Sequence, residues 1–435
     1  MMNRHLVVIS VDAMVCEDLE FLKEQPNFKR VLANGSYIKH VRTVYPSLTH
    51  VVHTSIITGC TPARTGVVSN EHFCPGQEHS PWYNDLDEIK CDTLFHAVKR
   101  AGKTSCACRW PVTGGGQNII DYLVPEIMDD DLAEEPDLLK LHKNLCSHAI
   151  YEDIIKPNIS ILNWRHSKHP TDELFQVKCV CDIIKKYKPD FIVTHPCLLD
   201  ASRHQYGLFQ NKLKYAMTMT DQLLGEILDA IDDAGISNNT DIVIVSDHGH
   251  IETVRSISIN HFLEEEGMLR LNEDGSLKNW DVYAKGCGLS CEIYVRDPKN
   301  NGKVETMLHK MKQEGIYGFS DVMTAAEAEQ KYGLKGEFSF IVDTDGYTSF
   351  RDDLTGPAVK LLKNEDYRYG HSDHGHMPEK GPQPSMIVYG PDFKKGIVLE
   401  QGNIIDEAPT FAKILDISLK DAQGSPLEEL LLNCT

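Results

Sequence analysis

Carboxylate and imidazole side chains recur in this sequence directly after short apolar segments. Asp12 follows the first of these segments, and Asp247 and His248 follow a later one. Asp200 and His204 lie four residues apart in a segment of helical character, so one helical turn would direct both side chains toward the same face. Each motif alone is more often structural, whereas together they predict a site for divalent cations.

A further group of histidines lies in the motif HSDHGHMP. His374 is the first choice there as a metal ligand, although His371 and His376 compete for the same role. Oxygen and nitrogen ligands without thiolates are typical of hydrolytic Zn²⁺ or Mn²⁺, and the imidazoles favour zinc. Two such ions about 4 Å apart can stabilise both the attacking and the leaving oxygen of a displacement. The ligand set therefore predicts a two-metal hydrolase.

Thr49 is the hydroxyl best placed to act as a nucleophile. Pro46 and Ser47 interrupt the preceding segment, Thr49 begins an apolar stretch suited to a helix, and Gly59 ends it. The amide groups and the dipole at a helix N-terminus favour a phosphoryl anion. Without metal ligands elsewhere, Thr49 would be interpreted as a simple helix cap. With them, it is predicted to attack phosphorus.

Apolar segments with the composition of buried strands alternate with helical patterns. This alternation predicts an α/β fold, with a mainly parallel central sheet, helices on both faces and the ligands at the carboxyl ends of the strands. We expect residues 1–250 and 369–435 to form a catalytic core and residues 251–368 to form an inserted α+β cap. The main predicted elements are strands at Leu6–Val11, Phe191–Thr194, Ile242–Ser246 and Ser385–Tyr389, and a helix over Leu208–Ala234.

The formal net charge of −20 argues against a nucleic-acid polymer as partner, since such binders usually carry basic surfaces. A small phosphorylated substrate could still bind if cations inside the site reversed the local charge. No apolar segment is long enough to span a bilayer, so we expect no membrane association. The 13 cysteines are odd in number and lack a CxxC pair, which favours a cytoplasmic location. The oligomeric state is left open.

The order and context of these motifs resemble the alkaline-phosphatase superfamily, and within it the nucleotide pyrophosphatase/phosphodiesterase (type I phosphodiesterase) family. The matching motifs span residues 6 to 393 and include VYPSLTH around Thr49, SIITG, TPARTGVV, SDHG and IVYGPDF. Their combination is far more specific than any single motif. The resemblance implies an alkaline-phosphatase-like fold and cleavage of phosphodiester or pyrophosphate bonds in small nucleotide-like substrates.

The resemblance also assigns ligands to two metal ions and a role to Thr49. Thr49 would form a covalent phosphothreonine intermediate, which water then hydrolyses. One ion would be bound by Asp200, His204 and His374, and the other by Asp12, Asp247, His248 and the Thr49 oxygen.

The sequence motifs indicate the substrate-binding residues less clearly than the metal ligands. The segments GVVSNEHF and RWPVTG are similar to those that flank the family's nucleotide pocket, so Phe73 and Trp110 are candidates to stack on a base, with packing as the alternative. The family usually has an asparagine donor three residues after the nucleophile, where this sequence has Val52. His53, Asn70 or a backbone amide could donate to the phosphate instead.

Val52 therefore leaves a phosphonate or phosphomonoester hydrolase open as the alternative activity on the same site. A metal-binding module without turnover is a second alternative. The presence of both a nucleophile and a full ligand set argues against that module.

Overall fold

The computed structural model describes residues 4–77, 80–127, 137–162, 168–362 and 372–432. Its largest unit is an eight-stranded sheet, and the smaller sheets lie between residues 251 and 373. The strands are β1 (His5–Ser10), β2 (Ser36–Arg42), β3 (Ser105–Cys108), β4 (Tyr122–Val124), β5 (Phe191–Thr194), β6 (Thr240–Val245), β7 (Ile251–Glu252), β8 (Arg255–Ser258), β9 (Leu269–Leu271), β10 (Leu277–Trp280), β11 (Val282–Cys287), β12 (Ser290–Val295), β13 (Phe319–Thr324), β14 (Phe340–Thr344), β15 (Thr348–Arg351), β16 (Val359–Leu361), β17 (Ser372–Asp373), β18 (Met386–Tyr389) and β19 (Val398–Asn403).

Helices connect most of the strands of the large sheet. The α-helices are α1 (Leu19–Leu22), α2 (Pro26–Asn34), α3 (Thr49–Thr58), α4 (Pro62–Thr65), α5 (Leu94–Arg100), α6 (Leu138–Leu145), α7 (His148–Ile150), α8 (Lys156–Asn158), α9 (Thr171–Tyr187), α10 (Leu198–Tyr206), α11 (Leu213–Asp233), α12 (Asn260–Glu265), α13 (Asn301–Glu314), α14 (Ala325–Tyr332) and α15 (Glu407–Ile414).

The large sheet has the strand order β19-β2-β18-β6-β1-β5-β3-β4. β18 is antiparallel to both of its neighbours, and every other pair in this sheet is parallel. Its central strand β1 is buried along its whole length, as expected for a parallel strand covered on both faces. The predicted mainly parallel sheet is therefore confirmed.

Both faces of the sheet are covered by helices, and successive residues of β1 point to opposite sides. Val7 and Ile9 pack in a core with α2, α9 and α11. Leu6 and Val8 pack in a second core with α3, α5 and α15. This alternation is the period of a strand, so the two apolar layers hold β1 in a fixed register.

The chemical side chains lie at one edge of this sheet. Parallel strands β1, β5 and β6 all end there, and they are followed by Asp12, by the start of α10 and by Asp247, respectively. Because β18 runs in the opposite direction, its first residue lies at the same edge. That reversal explains why His374 precedes its strand in the sequence while the other ligands follow theirs.

Residues 251–362 form additional sheets. Antiparallel strands pair in the order β11-β12-β14-β13, and β8 pairs with β15 and β16. Helices α12 and α13 pack against this region, which has its own apolar core. Part of the predicted cap, residues 363–368, lies outside the described residues, and the division at residues 250 and 369 stays a prediction.

A hairpin of this region contacts the loop that carries His374. The backbone N–H of Leu289 donates to the His374 carbonyl over 2.8 Å. Gly375 has φ +98°, and a Cβ at this position would lie 2.4 Å from the Cys287 carbonyl oxygen. Only glycine fits there, because both the backbone conformation and the close approach exclude a side chain. The β11–β12 hairpin therefore fixes the loop that presents His374.

Arg203 ties helix α10 to the loop after β1. Its guanidinium is fully buried, pairs with the buried Asp18 carboxylate and donates from Nε to the Ala13 carbonyl over 3.1 Å. Ala13 has φ +60°, an uncommon conformation for a residue with a side chain. Since Asp12 precedes Ala13 and Asp200 lies in α10, Arg203 sets the spacing between these two acids.

None of the helices in the described part of the chain combines the length and the hydropathy that crossing a bilayer requires. The cysteines described have free thiols. The cytoplasmic location stays a prediction.

Replacing Arg203 with methionine is expected to lower the free energy of unfolding by about 3–5 kcal/mol, because Asp18 would be left buried without its partner. The matched control is Arg30→Met, since the Arg30 side chain is 42% exposed in its pair with Asp232 and should contribute less than about 1 kcal/mol. Urea denaturation followed by circular dichroism measures both. Equal losses in the two variants would contradict the anchoring role of Arg203.

Candidate active site

Thr49 is the first residue of α3 and lies beside the ligand-bearing loops. The rest of the helix is buried, whereas Thr49 is partly exposed. Its Oγ1 lies 3.2 Å from Nε2 of His248. One turn later His53 donates from Nδ1 to the Thr49 carbonyl over 2.8 Å, and its Nε2 accepts from Ser10 over 2.9 Å. The hydroxyl thus stands at the positive end of a firmly held helix.

Asp12, Asp247 and His248 form one potential ligand group. Nε2 of His248 lies 3.1 Å from Asp247 Oδ2 and 3.5 Å from Asp12 Oδ1. Both of these carboxylate oxygens are buried, and neither has a hydrogen-bond partner among the described residues. Buried carboxylate oxygens without donors are costly unless a cation compensates them.

The pKa values of Asp12, Asp247 and His248 reflect their burial and their close approach to one another. Burial raises the pKa of the Asp12 carboxyl well above its ordinary value, and the charge of Asp200 raises it further. Burial likewise raises the pKa of Asp247, with Asp12 as the next cause. Burial and then the neighbouring His374 hold the pKa of His248 well below its ordinary value, which keeps its ring neutral. The neutral imidazole is already in the state that binds a divalent cation, whereas both acids would have to be ionised, and the charge of a bound cation would lower their pKa values again.

Asp200, His204 and His374 form a second group on the other side of His248. His204 donates from Nδ1 to the Ser372 carbonyl over 2.9 Å, and His374 donates from Nδ1 to the Ser47 carbonyl over 3.1 Å. Each ring therefore presents the lone pair of Nε2. Nε2 of His204 lies 3.6 Å from Asp200 Oδ1.

The two groups are contiguous. The rings of His248 and His374 stack with their centroids 3.8 Å apart. Potential ligand atoms of Asp200, His248 and His374 lie within 4.8 Å of one another, as do those of Asp12, Asp247 and His248. Together with the unpartnered carboxylate oxygens, these distances fit two neighbouring divalent cations. The predicted ligands and Thr49 are thus brought together, while their roles as ligands stay predictions.

Several polar residues of the site were not found from the sequence. His195 donates from Nε2 to Asp12 Oδ2 over 3.0 Å, and His250 Nε2 lies 2.6 Å from Asp200 Oδ1. Asp373 belongs to a group with His204 and His374. His195 directly follows β5, so the rule applied to Asp12 and Asp247 could have found it. His250 carried no such signal apart from its spacing after His248.

Asn70 lies against the nucleophile's helix. Its Oδ1 accepts the backbone N–H of His50, the residue after Thr49, over 3.0 Å. Because the oxygen is engaged, the amide NH₂ is the part of Asn70 that is left for a ligand. Val52, by contrast, is fully buried in the core on the sheet side of α3.

Phe73 and Trp110 are both packed within the protein. Phe73 stacks on Tyr294, with parallel rings 3.5 Å apart. Trp110 is 0% exposed and packs edge-on against His53, with centroids 4.7 Å apart. These contacts favour the packing alternative for both residues, since neither needs a base as partner.

The alternatives to His374 differ in position. His376 is buried, burial lowers its pKa to about 3, and it belongs to none of the ligand groups among the described residues. His371 lies outside the described residues. The structure thus brings His374, and not His376, to Asp200 and His204.

Comparison with known proteins gives the same family as the motifs. The model of the type I phosphodiesterase / nucleotide pyrophosphatase family matches residues 6–376. Human ectonucleotide pyrophosphatase/phosphodiesterase family member 5 is 21% identical over 417 residues, which cover 92% of this chain and 72% of the human protein. A venom phosphodiesterase of Macrovipera lebetinus is 21% identical over 56% of this chain but only 25% of its own length.

Solved structures show the same fold. Murine ectonucleotide pyrophosphatase/phosphodiesterase 5, an inactive variant in complex with AMP, superposes with a TM-score of 0.70 at 15% identity, covering 99% of this chain and 100% of the murine one. The human counterpart gives a TM-score of 0.69 at 16% identity, covering 98% and 100% of the two chains. The predicted alkaline-phosphatase-like fold and the enzyme class are confirmed. Since the family model extends over most of its length, this chain belongs to the type I phosphodiesterase / nucleotide pyrophosphatase family of phosphoric ester hydrolases.

Proposed function

We propose that this protein cleaves phosphodiester or pyrophosphate bonds of small nucleotide-like substrates through a phosphothreonine intermediate on Thr49, with two divalent cations. The observation that carries the proposal is the position of Thr49 Oγ1, 3.2 Å from a histidine of the ligand groups and at the N-terminus of a buried helix. The names of the relatives support the same bond types, and AMP in the murine structure supports a nucleotide-like substrate.

Asp12, Asp247, His248 and Thr49 would hold one cation, and Asp200, His204 and His374 the other. When bound, the two ions would lower the pKa of the Thr49 hydroxyl and stabilise charge on the leaving oxygen. Zn²⁺ is the favoured ion because imidazoles contribute to both groups, with Mn²⁺ as the alternative.

The chemistry at Thr49 consists of two displacements. Thr49 Oγ1 loses its proton to solvent and attacks phosphorus in line with the leaving oxygen. The bond from phosphorus to that oxygen breaks, and the leaving group departs with the electron pair and takes up a proton from solvent. Water then attacks phosphothreonine, the bond between Thr49 and phosphorus breaks, and Thr49 regains its proton. The dipole of α3 would stabilise the anion in both steps, and the amide NH₂ of Asn70, whose Oδ1 accepts the His50 N–H, would donate to a phosphate oxygen.

A small substrate is supported by the net charge of −20, which would repel a nucleic-acid polymer. The alternative on the same site is hydrolysis of a phosphonate or phosphomonoester, because Val52 provides no donor to hold a diester. Asn70 would replace the donor that is missing at Val52, since its side-chain amide lies near Thr49 on a different loop.

Thr49→Ala is expected to lower turnover of bis-p-nitrophenyl phosphate by at least about 10³-fold, because the nucleophile is lost. Thr49→Ser keeps a hydroxyl and should retain measurable turnover. Steady-state assays of both variants and of the wild type, each loaded with Zn²⁺ or Mn²⁺, provide the test. Unchanged turnover in Thr49→Ala would rule out Thr49 as the nucleophile.

The same assay ranks the substrates. The proposal predicts faster wild-type turnover of bis-p-nitrophenyl phosphate than of p-nitrophenyl phosphate or phosphonoacetate. Preference for either of the latter would favour the alternative activity on the same site.

Asn70→Asp is expected to lower kcat by about 10²- to 10³-fold, as is Asn70→Ala, because both lose the amide donor. The aspartate variant keeps the oxygen that accepts the His50 N–H, so it separates substrate binding from support of α3. The measurement is kcat for the diester, with the melting temperature as a check on folding. Near-normal kcat in Asn70→Asp would mean that Asn70 only supports the helix.

A further inference from the structure

His250 belongs to the ligand cluster, although the family motifs gave it no role. It is 0% exposed, and its Nε2 lies 2.6 Å from Asp200 Oδ1. Potential ligand atoms of Asp200, His248, His250 and His374 all lie within 4.8 Å of one another. The ring nitrogen is therefore in direct contact with the carboxylate of a predicted ligand.

The other ring nitrogen of His250 determines the tautomer. Nδ1 lies 3.0 Å from the Ser372 hydroxyl oxygen, and that hydroxyl donates its proton to the Arg203 carbonyl over 2.8 Å. A hydroxyl has a single proton, so Ser372 Oγ must accept from His250. Nδ1 consequently carries the hydrogen, and in a neutral ring Nε2 presents a lone pair.

A lone pair on Nε2 faces an oxygen that is also an acceptor. Two acceptors 2.6 Å apart repel each other unless a cation binds both of them or a proton lies between them. The rings of His204 and His374 lie 4.6 Å and 5.1 Å from the His250 ring, so His250 belongs to the same group of imidazoles around Asp200. A cation bound by all of these side chains satisfies every one of them.

We propose that His250 is a direct ligand of the cation held by Asp200, His204 and His374. This inference rests on the proposed two-metal function and refines it. The site then offers three imidazoles and one carboxylate, a donor set that favours Zn²⁺ over Mn²⁺. His250 thus makes this cation site selective for zinc.

The test compares His250→Gln with His376→Gln. Both histidines follow a His-Gly pair and both are buried, but His376 lies outside the ligand groups among the described residues. Glutamine keeps a polar side chain of similar size beside Asp200, so the variant removes the imidazole ligand without leaving a cavity. Each protein is stripped with a chelator and refilled with Co²⁺, whose visible absorption reports its ligands, and Zn²⁺ affinity is measured by competition with a chelating dye.

In His250→Gln we expect an altered Co²⁺ spectrum and a loss of Zn²⁺ affinity at one of the two sites of more than about 100-fold, beyond the usual effect of an outer partner. His376→Gln should match the wild type in both readouts. A wild-type spectrum and affinity in His250→Gln would overturn the inference.

The zinc-loaded wild-type protein provides a test that does not depend on a variant folding. X-ray absorption or a crystal structure should give a distance of about 2.0–2.1 Å from His250 Nε2 to zinc. Two bound ions with His250 outside bonding distance would overturn this inference and leave the proposed function intact. A wild-type protein that binds no divalent ion would instead contradict the proposed function.

Discussion

The concentration of buried negative charge at one edge of the central sheet is the constraint on which the site depends. Asp12, Asp200 and Asp247 converge there, and one carboxylate oxygen of Asp12 and one of Asp247 have no donor among the described residues. Burial raises the pKa of both of these acids, with a neighbouring carboxylate as the next cause. Such a site would repel a phosphate unless cations neutralised it. The proposed divalent cations would satisfy the acids and attract the substrate at the same time.

The fold supplies the rigidity that this charge cluster requires. Two apolar layers hold β1 from both faces, so the loop carrying Asp12 starts from a fixed strand end. Arg203 connects that loop to the helix carrying Asp200, and the β11–β12 hairpin holds the loop carrying His374. Thr49 approaches from a separate helix whose N-terminus points into the cluster. Ligands on strand ends with locked neighbours are held more accurately than ligands on long loops.

Much of the core could be predicted because its strands are short, apolar and fully buried. Phe191–Thr194 was predicted to the residue, and β1 and β6 within two residues. Helix boundaries were less accurate, since the helix predicted from Leu208 begins at Leu213. Gly207 ends the preceding helix at φ +88°, and five residues separate it from the start of α11.

The structure brings together the predicted ligands that follow strands, whereas residues whose partners come from distant segments were not found from the sequence. The role proposed for His250 depends on its contacts with Asp200 and Ser372, which are 50 and 122 residues away in the chain. No local pattern encodes such contacts. Trp110 shows a different difficulty, because an aromatic residue beside a polar motif looks the same in sequence whether it binds a ligand or packs against His53 in the core, and its contacts in the structure favour packing.

The stereochemical course at phosphorus is the most direct test of the central claim that Thr49 forms a covalent intermediate. Each in-line displacement inverts the configuration at phosphorus, so two successive displacements restore it. A chiral phosphorothioate diester hydrolysed in isotopically labelled water should therefore give a product with retained configuration. Inversion would mean that water attacks the substrate directly and would contradict the role assigned to Thr49.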